Sequence, residues 1–159
     1  MIRRLLPVLF ASLFVVSACG SKDFEEHGQA HPIAIADAWV KATDMDMSAA
    51  FGVLSNSGDK DVKVTGVTTT ITDTAELHET VNGKMNMVKE FTIPAGGSLA
   101  LEPGGKHLML LNLTKPIKPG DKIDFKLTFA DDSEFEFSAT AKDFTGADEN
   151  YKQGETAGH

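Results

Sequence analysis

The chain has 159 residues, of which 42% are hydrophobic, 24% charged and 8% aromatic, which fits one domain with a hydrophobic core and excludes a disordered or fibrous protein. Its net charge of −8, with no basic stripe, argues against nucleic acid as a partner. A single cysteine excludes an intrachain disulfide framework and any cysteine-rich zinc or iron–sulfur site.

The N-terminal segment has the pattern of an export signal. Arg3 and Arg4 form a positive region, and the apolar run that follows is shorter than the ~20 residues of a membrane-spanning helix. Small residues stand directly before Cys19, as they do at a bacterial lipoprotein processing site. We therefore predict a lipoprotein signal peptide over residues 1–18 and lipidation of Cys19. This places the protein in the bacterial cell envelope, outside the cytoplasm and anchored to a membrane.

Polar segments flank the predicted domain on both sides. Residues 19–31 are polar and lack periodicity, which predicts a flexible tether. Residues 149–159 are polar as well and are predicted to form a C-terminal tail. The domain then spans residues 32–148. Three histidines fall in the flanking segments, and we expect no metal-binding role for them: His27, His31 and His159.

Within the domain, apolar and polar residues alternate in short runs with a period of two, which indicates strands. Asn82-Gly83 lies between two such runs and is a strong hairpin signal, because both turn positions must tolerate positive φ. No window of helical length has an apolar stripe at helical spacing. We therefore predict an all-β, antiparallel sandwich or barrel. Its nine strands are predicted at 33–41, 49–55, 62–70, 75–81, 85–93, 97–102, 107–113, 122–129 and 134–138.

The sequence has little that is typical of an enzyme. It has no nucleophile elbow and no P-loop, and its glycine pairs, Gly96-Gly97 and Gly104-Gly105, are better explained as turns. A base, a nucleophile and an orienting group cannot be placed together. We therefore predict that the protein is not an enzyme.

Histidines and methionines form a pattern that indicates metal binding. His107 and Met109 are two residues apart in a predicted strand and share a face, as do Met85 and Met87. The Asn-Gly hairpin brings His78 close to the latter pair. Imidazole and thioether without thiolate form a soft ligand set that favours Cu(I). The pattern therefore predicts a Cu(I) carrier, and not a blue-copper electron-transfer centre, which needs a cysteine ligand.

The segment Leu77–Gly120 resembles the periplasmic copper chaperones called PCuAC-like. It contains a histidine, methionines after a hairpin, an IPAGG…PGG stretch and an H-x-M motif, and the resemblance extends over roughly residues 32–148. The resemblance implies a cupredoxin-like Greek-key β-sandwich that binds Cu(I). It also implies copper delivery to an acceptor protein, such as the CuA centre of a cytochrome c oxidase subunit or a Sco-type assembly factor.

The same resemblance carries the role of copper ligand to His78, His107 and Met109. The fourth ligand stays open between two residues. Met85 leaves 21 residues before His107, as the family pattern does, whereas Met87 matches the second methionine of the family's M-x-M. Because Met85 and Met87 share a face, either could reach the copper.

These observations predict a membrane-tethered, extracytoplasmic Cu(I) chaperone with an exposed metal site at one end of the sandwich. A first alternative is a copper-sequestering or resistance lipoprotein that uses the same ligands without an acceptor. A second is a metal-free β-sandwich interaction module, in which the methionines only fill the core. Two further methionines, Met45 and Met47, are expected to serve packing.

Overall fold

A computed structural model describes residues 32–145. The predicted signal peptide, Cys19, the tether, the tail and the three histidines of the flanking segments lie outside these residues. No helix occurs in the described part of the chain, and hence none that could span a membrane. The ten strands are β1 (Ile33–Lys41), β2 (Ser48–Asn56), β3 (Val62–Thr69), β4 (Thr74–Val81), β5 (Lys84–Met87), β6 (Phe91–Ile93), β7 (Ser98–Leu101), β8 (Lys106–Leu111), β9 (Lys122–Phe129) and β10 (Glu134–Lys142).

The strands form one curled sheet in the order β5-β4-β8-β2-β1-β10-β9-β3-β6, and β7 pairs with β2 beyond the end of β8. The prediction of an all-β, cupredoxin-like sandwich is confirmed. The sheet is mixed rather than purely antiparallel, because β1 and β10 run parallel, with Trp39 opposite Thr140. Period-two alternation shows which residues share a face, but it does not show the direction of the neighbouring strand.

One predicted strand, 85–93, is two strands in the structure. β5 ends at Met87 and pairs with β4, whereas β6 starts at Phe91 and pairs with β3. The chain therefore leaves one edge of the sheet and joins the other edge within three residues. The alternation of the sequence hides this change, because the larger apolar residues on both sides of the break occupy odd-numbered positions.

Strand β10 extends beyond its predicted end at residue 138 and reaches Lys142. The C-terminal half of β10 contains Ala139 and Ala141, which are 1% and 2% exposed. These small side chains give a weak alternation signal in the sequence. They are nevertheless part of the hydrophobic core, and the strand continues because it pairs with β1 on one side and β9 on the other.

Residues 32–145 form one hydrophobic core cluster, to which strands from both ends of the sheet order contribute. On the strands that matter for the metal site, it includes Ala50 of β2, Leu77 of β4, and Leu108 and Leu110 of β8. Side chains alternate between the two faces of a strand. The neighbours of these core residues therefore lie on the opposite face of β8 and β4, and this outer face carries the predicted ligands.

Candidate metal centre

The β4–β5 hairpin brings a methionine against the first predicted histidine ligand. Val81 and Lys84 are Cα partners, and the two turn residues between them have positive φ, 53° at Asn82 and 73° at Gly83. The predicted Asn-Gly hairpin is thereby confirmed. In the resulting register, Met87 is the Cα partner of His78.

The register of the hairpin distinguishes Met87 from Met85, because only Met87 is opposite a histidine. The amide of Val88 donates to the carbonyl of Leu77 at 2.8 Å, so the next pair, His78 and Met87, is a non-hydrogen-bonded pair. In such pairs the Cα atoms lie about 4.5 Å apart and the side chains approach closely. Met85 is on the same face one row further away, opposite Thr80.

Strand β8 brings the second histidine to the same row. His107 is the Cα partner of His78, and the two ring centroids lie 5.8 Å apart. The three side chains of Met87, His78 and His107 therefore form a row across β5, β4 and β8. Met109 lies on the same face of β8 in the adjacent row, opposite Glu76.

The turn before β8 orients the ring of His107. His107 Nδ1 lies 3.0 Å from the carbonyl oxygen of Gly105, which also accepts a hydrogen bond from the amide of Thr80 at 3.0 Å. A carbonyl oxygen only accepts, so Nδ1 of His107 is the donor and the lone pair of the neutral ring is on Nε2. The PGG stretch is therefore more than a turn, because its last glycine sets which nitrogen can bind a metal.

The ring of His78 has a carboxylate on one side and a buried nitrogen on the other. His78 Nε2 lies 2.8 Å from Glu76 Oε2. Nδ1 of His78 is buried and has no hydrogen-bond partner within residues 32–145. Buried polar atoms without partners are rare in proteins and call for an explanation such as a missing ion. A metal ion at Nδ1 would supply that explanation.

The predicted ligands differ strongly in exposure. Met109 is 0% exposed and His107 3%, whereas Met87 is 64% exposed. The side chain of His78 is 12% exposed. Among these residues, the expectation of an exposed site therefore applies only to Met87, because β5 is the edge of the sheet that residues 32–145 form, whereas β4 and β8 are interior strands.

An aromatic row continues the line of the histidines across the sheet. The ring of Phe51 lies 6.3 Å from that of His107 and 4.5 Å from that of Trp39, which in turn lies 5.2 Å from Phe144. The sequence did not predict these contacts, because β8 is far from β1 and β2 along the chain and the β1–β2 register shifts between Ala36 and Trp39. The sequence also did not predict the two oxygen atoms that contact the histidine rings, the carboxylate of Glu76 and the carbonyl of Gly105.

The remaining methionine pair precedes β2. Met45 is 67% exposed and Met47 is half-buried. Both lie outside the strand rows that carry the histidines. Their expected packing role stays a prediction.

The donor chemistry restricts the metals that could bind. Within residues 32–145, no group of three or more His, Cys, Asp or Glu side chains is arranged to hold a metal ion. On the face that carries His78 and His107, the methionine sulfurs are further donors that a metal could use. Thioether donors favour Cu(I) over harder cations.

Sequence comparisons identify relatives that share most of this chain. The family described as "Putative lipoprotein LpqE-like" matches residues 33–141. "Putative lipoprotein Lxx21020" of Leifsonia xyli subsp. xyli (strain CTCB07) is 43% identical over 129 residues, which is 78% of each chain.

Solved structures with the same fold include copper-related domains. Apo-DR1885 from Deinococcus radiodurans is 28% identical, with a TM-score of 0.60 over 90% of this chain and 97% of that one. CuI-DR1885 is also 28% identical, with a TM-score of 0.57 over 71% and 81%. The copper-bound PCuAC domain from PmoF2 has a TM-score of 0.62 at 19% identity, over 70% and 93%. The predicted resemblance to PCuAC-like proteins is confirmed, and by the match over residues 33–141 the chain belongs to the LpqE-like lipoprotein family.

Proposed function

We propose that this protein is an extracytoplasmic Cu(I)-binding chaperone, held at a membrane through a lipid on Cys19. Its copper ligands are His78, His107, Met109 and one methionine of β5. The observation that carries this proposal is the row in which Met87 and His107 flank His78 on adjacent strands. Two imidazoles and two thioethers suit Cu(I), because thioethers are soft donors that select this ion and imidazole also binds copper.

The comparisons support copper as the metal. DR1885, which is 28% identical, has been solved in a CuI form, and the PCuAC domain from PmoF2 has been solved with copper bound. The buried Nδ1 of His78 agrees with a metal ligand, because coordination would satisfy a polar atom that lacks a hydrogen-bond partner among the described residues.

We favour Met87 over Met85 as the fourth ligand. Met87 pairs directly with His78, in a non-hydrogen-bonded position where side chains approach closely. Met85 is two residues away on the same face, so its sulfur could substitute when Met87 is lost.

The difference in exposure suggests how copper leaves. Met109 and His107 are buried, and Met87 alone among the proposed donors is exposed by more than half. Exchange would therefore begin with loss of the Met87 sulfur, and a donor of the acceptor protein would take its place. We propose a copper-receiving protein as acceptor, such as a cytochrome c oxidase subunit with a CuA centre or a Sco-type assembly factor.

The decisive experiment is an anaerobic titration of the purified protein with Cu(I) against a chromophoric competitor, combined with X-ray absorption at the copper edge. We expect one tightly bound Cu(I) with two nitrogen and two sulfur neighbours. Asn86→Ala is a matched control, because Asn86 lies between the two β5 methionines on the other face of the strand and is exposed. A protein that binds no Cu(I) would be a metal-free interaction module, and copper bound without sulfur would contradict the proposed ligands.

A deletion strain separates delivery from sequestration. If the protein delivers copper, we expect a loss of cytochrome c oxidase assembly at low copper that added copper restores. Sensitivity to high copper with normal oxidase assembly would instead indicate a resistance lipoprotein. Re-expression of a His107→Gln variant is the control, because it removes a proposed ligand while the rest of the chain is unchanged.

A further inference from the structure

A carboxylate holds the ring of His78 from the side opposite its buried nitrogen. Glu76 Oε2 lies 2.8 Å from His78 Nε2. Glu76 is two residues before His78 on β4, so both side chains lie on the same face. The side chain of Glu76 is 32% exposed and that of His78 is 12% exposed, so the contact is partly shielded from water. A hydrogen bond is stronger in such an environment than in water.

The chemistry of this contact determines the state of the ring. An ionised carboxylate can only accept hydrogen bonds, so Nε2 of a neutral His78 carries the proton and Nδ1 carries the lone pair. In His107 the arrangement is reversed, because its Nδ1 donates to the carbonyl of Gly105. The two rings therefore offer different nitrogens, and an acceptor behind each ring fixes its orientation.

We infer that Glu76 is a positioning residue for copper, which fixes the ring of His78 so that Nδ1 is the donor atom. The inference rests on the proposed function, since it requires His78 to be a ligand. Without an acceptor at Nε2, the ring can turn about its Cβ–Cγ bond, and its proton can move to Nδ1, which leaves the lone pair on Nε2. His107 is oriented by the main chain, which a substitution leaves in place, whereas His78 is oriented by a side chain that a substitution can remove.

The inference is tested by NMR on the full chain, ¹⁵N-labelled at histidine and solubilised in detergent. Without metal, we expect His78 of the wild type to show a protonated Nε2 whose proton exchanges slowly with water. Glu76→Gln retains an oxygen acceptor and should keep this signal, whereas Glu76→Leu should lose it. With Cu(I), Nδ1 should be the metal-bound nitrogen in the wild type and in Glu76→Gln, and Nε2 should contribute in Glu76→Leu.

Copper affinity provides the second measurement. Loss of a partner that orients a metal-binding histidine typically lowers affinity by about 10–100-fold, and we expect a loss in this range for Glu76→Leu. Glu79→Leu is the matched control, because it removes the same charge from the other face of β4, where Glu79 lies 3.8 Å from Lys106. We expect the affinity of this control to equal that of the wild type.

Two results would overturn the role of Glu76 alone: a wild-type His78 protonated at Nδ1, or a Glu76→Leu variant that binds copper through Nδ1 with wild-type affinity. A wild-type protein that binds no Cu(I) would overturn the proposed function and this inference with it. The outcomes are therefore distinguishable.

Discussion

The rings of His78 and His107 face each other across β4 and β8 with their centroids 5.8 Å apart and their planes at 48°. At this separation a single ion can contact one nitrogen of each ring. Both histidines sit on interior strands of the sheet, so their spacing is fixed by the β4–β8 ladder. The variable part of the site is the edge strand β5, which carries Met85 and Met87.

Replacement of Met87 should weaken Cu(I) binding more than replacement of Met85. Met87→Ala removes the residue opposite His78, and we expect only a modest loss of affinity, because the Met85 sulfur on the same face can take its place. Because Met87 is exposed, its replacement should change the free energy of unfolding by less than about 0.5 kcal/mol.

The double variant tests whether the two methionines share one role. If Met85 substitutes for Met87, the loss of affinity in Met85→Ala/Met87→Ala will exceed the sum of the two single losses. Competition titrations of the four proteins measure this coupling. Wild-type affinity in the double variant would exclude a β5 ligand.

The contribution of Met109 to stability and its contribution to copper binding should be separable by substitution. Its side chain is fully buried, so Met109→Ala should lower the free energy of unfolding by about 2–5 kcal/mol. Met109→Leu conserves volume and should cost less than about 1.5 kcal/mol, yet it removes the sulfur. We therefore expect Met109→Leu to fold normally in denaturant titrations and to bind Cu(I) weakly. Unchanged copper affinity in this variant would exclude Met109 as a ligand.

Cu(I) should be bound far more tightly than Zn(II). Zinc prefers nitrogen, thiolate and carboxylate ligands, and residues 32–145 do not arrange three His, Cys, Asp or Glu side chains around one position. Parallel competition titrations with the two metals measure the preference. Comparable affinities would mean that the sulfurs do not take part.

At Gly83 of the Asn-Gly turn, a substitution should destabilise the protein through its backbone conformation, because there is space for a larger side chain. Gly83 has a φ of 73°, and an added Cβ would meet no heavy atom within 4 Å. Gly83→Ala should therefore cost about 1–2 kcal/mol through backbone strain alone. Gly83→Asn is the control, because asparagine tolerates this conformation and should cost less. Thermal or denaturant unfolding measures both; equal costs would show that strain is not the cause.

Membrane attachment should depend on Cys19. Cys19→Ser removes the proposed lipid acceptor, so we expect the variant to be released from the membrane fraction or to remain unprocessed. Fractionation and mass spectrometry of the N-terminus measure the result. A wild-type protein recovered away from membranes with an unmodified Cys19 would contradict the proposed anchor.

Local patterns predicted much of the fold and part of the site. Alternation identified most strands, and the Asn-Gly pair identified the hairpin that places Met87 beside His78. The His107 and Met109 pair followed from the period of two. The pairing of β4 with β8 joins distant parts of the chain, and periodicity does not predict it. The assignment of His78 and His107 as ligands of one copper ion therefore came from the family resemblance.

Of the features that were not predicted, one could have been found in the sequence, and the others depend on the three-dimensional arrangement of the strands. Glu76 could have been identified, because a residue two positions before a strand histidine lies on the same face. The parallel pairing of β1 and β10 and the change of partner between β5 and β6 depend on how the sheet curls. The aromatic contact between Trp39 and Phe51 likewise requires knowledge of the register across β1 and β2.

The described chain enters and leaves the sheet at different distances from the candidate site. The aromatic row crosses β1 at Trp39, and Phe144, just after β10, contacts this tryptophan. Ile33 starts β1 six residues earlier, about 20 Å away at the rise of an extended strand. A polyhistidine tag placed directly after Phe144 would therefore begin three ring contacts from His107, whereas a tag placed before Ile33 would begin at the far end of β1. Purification from the N-terminal side is thus the better choice for measuring metal content.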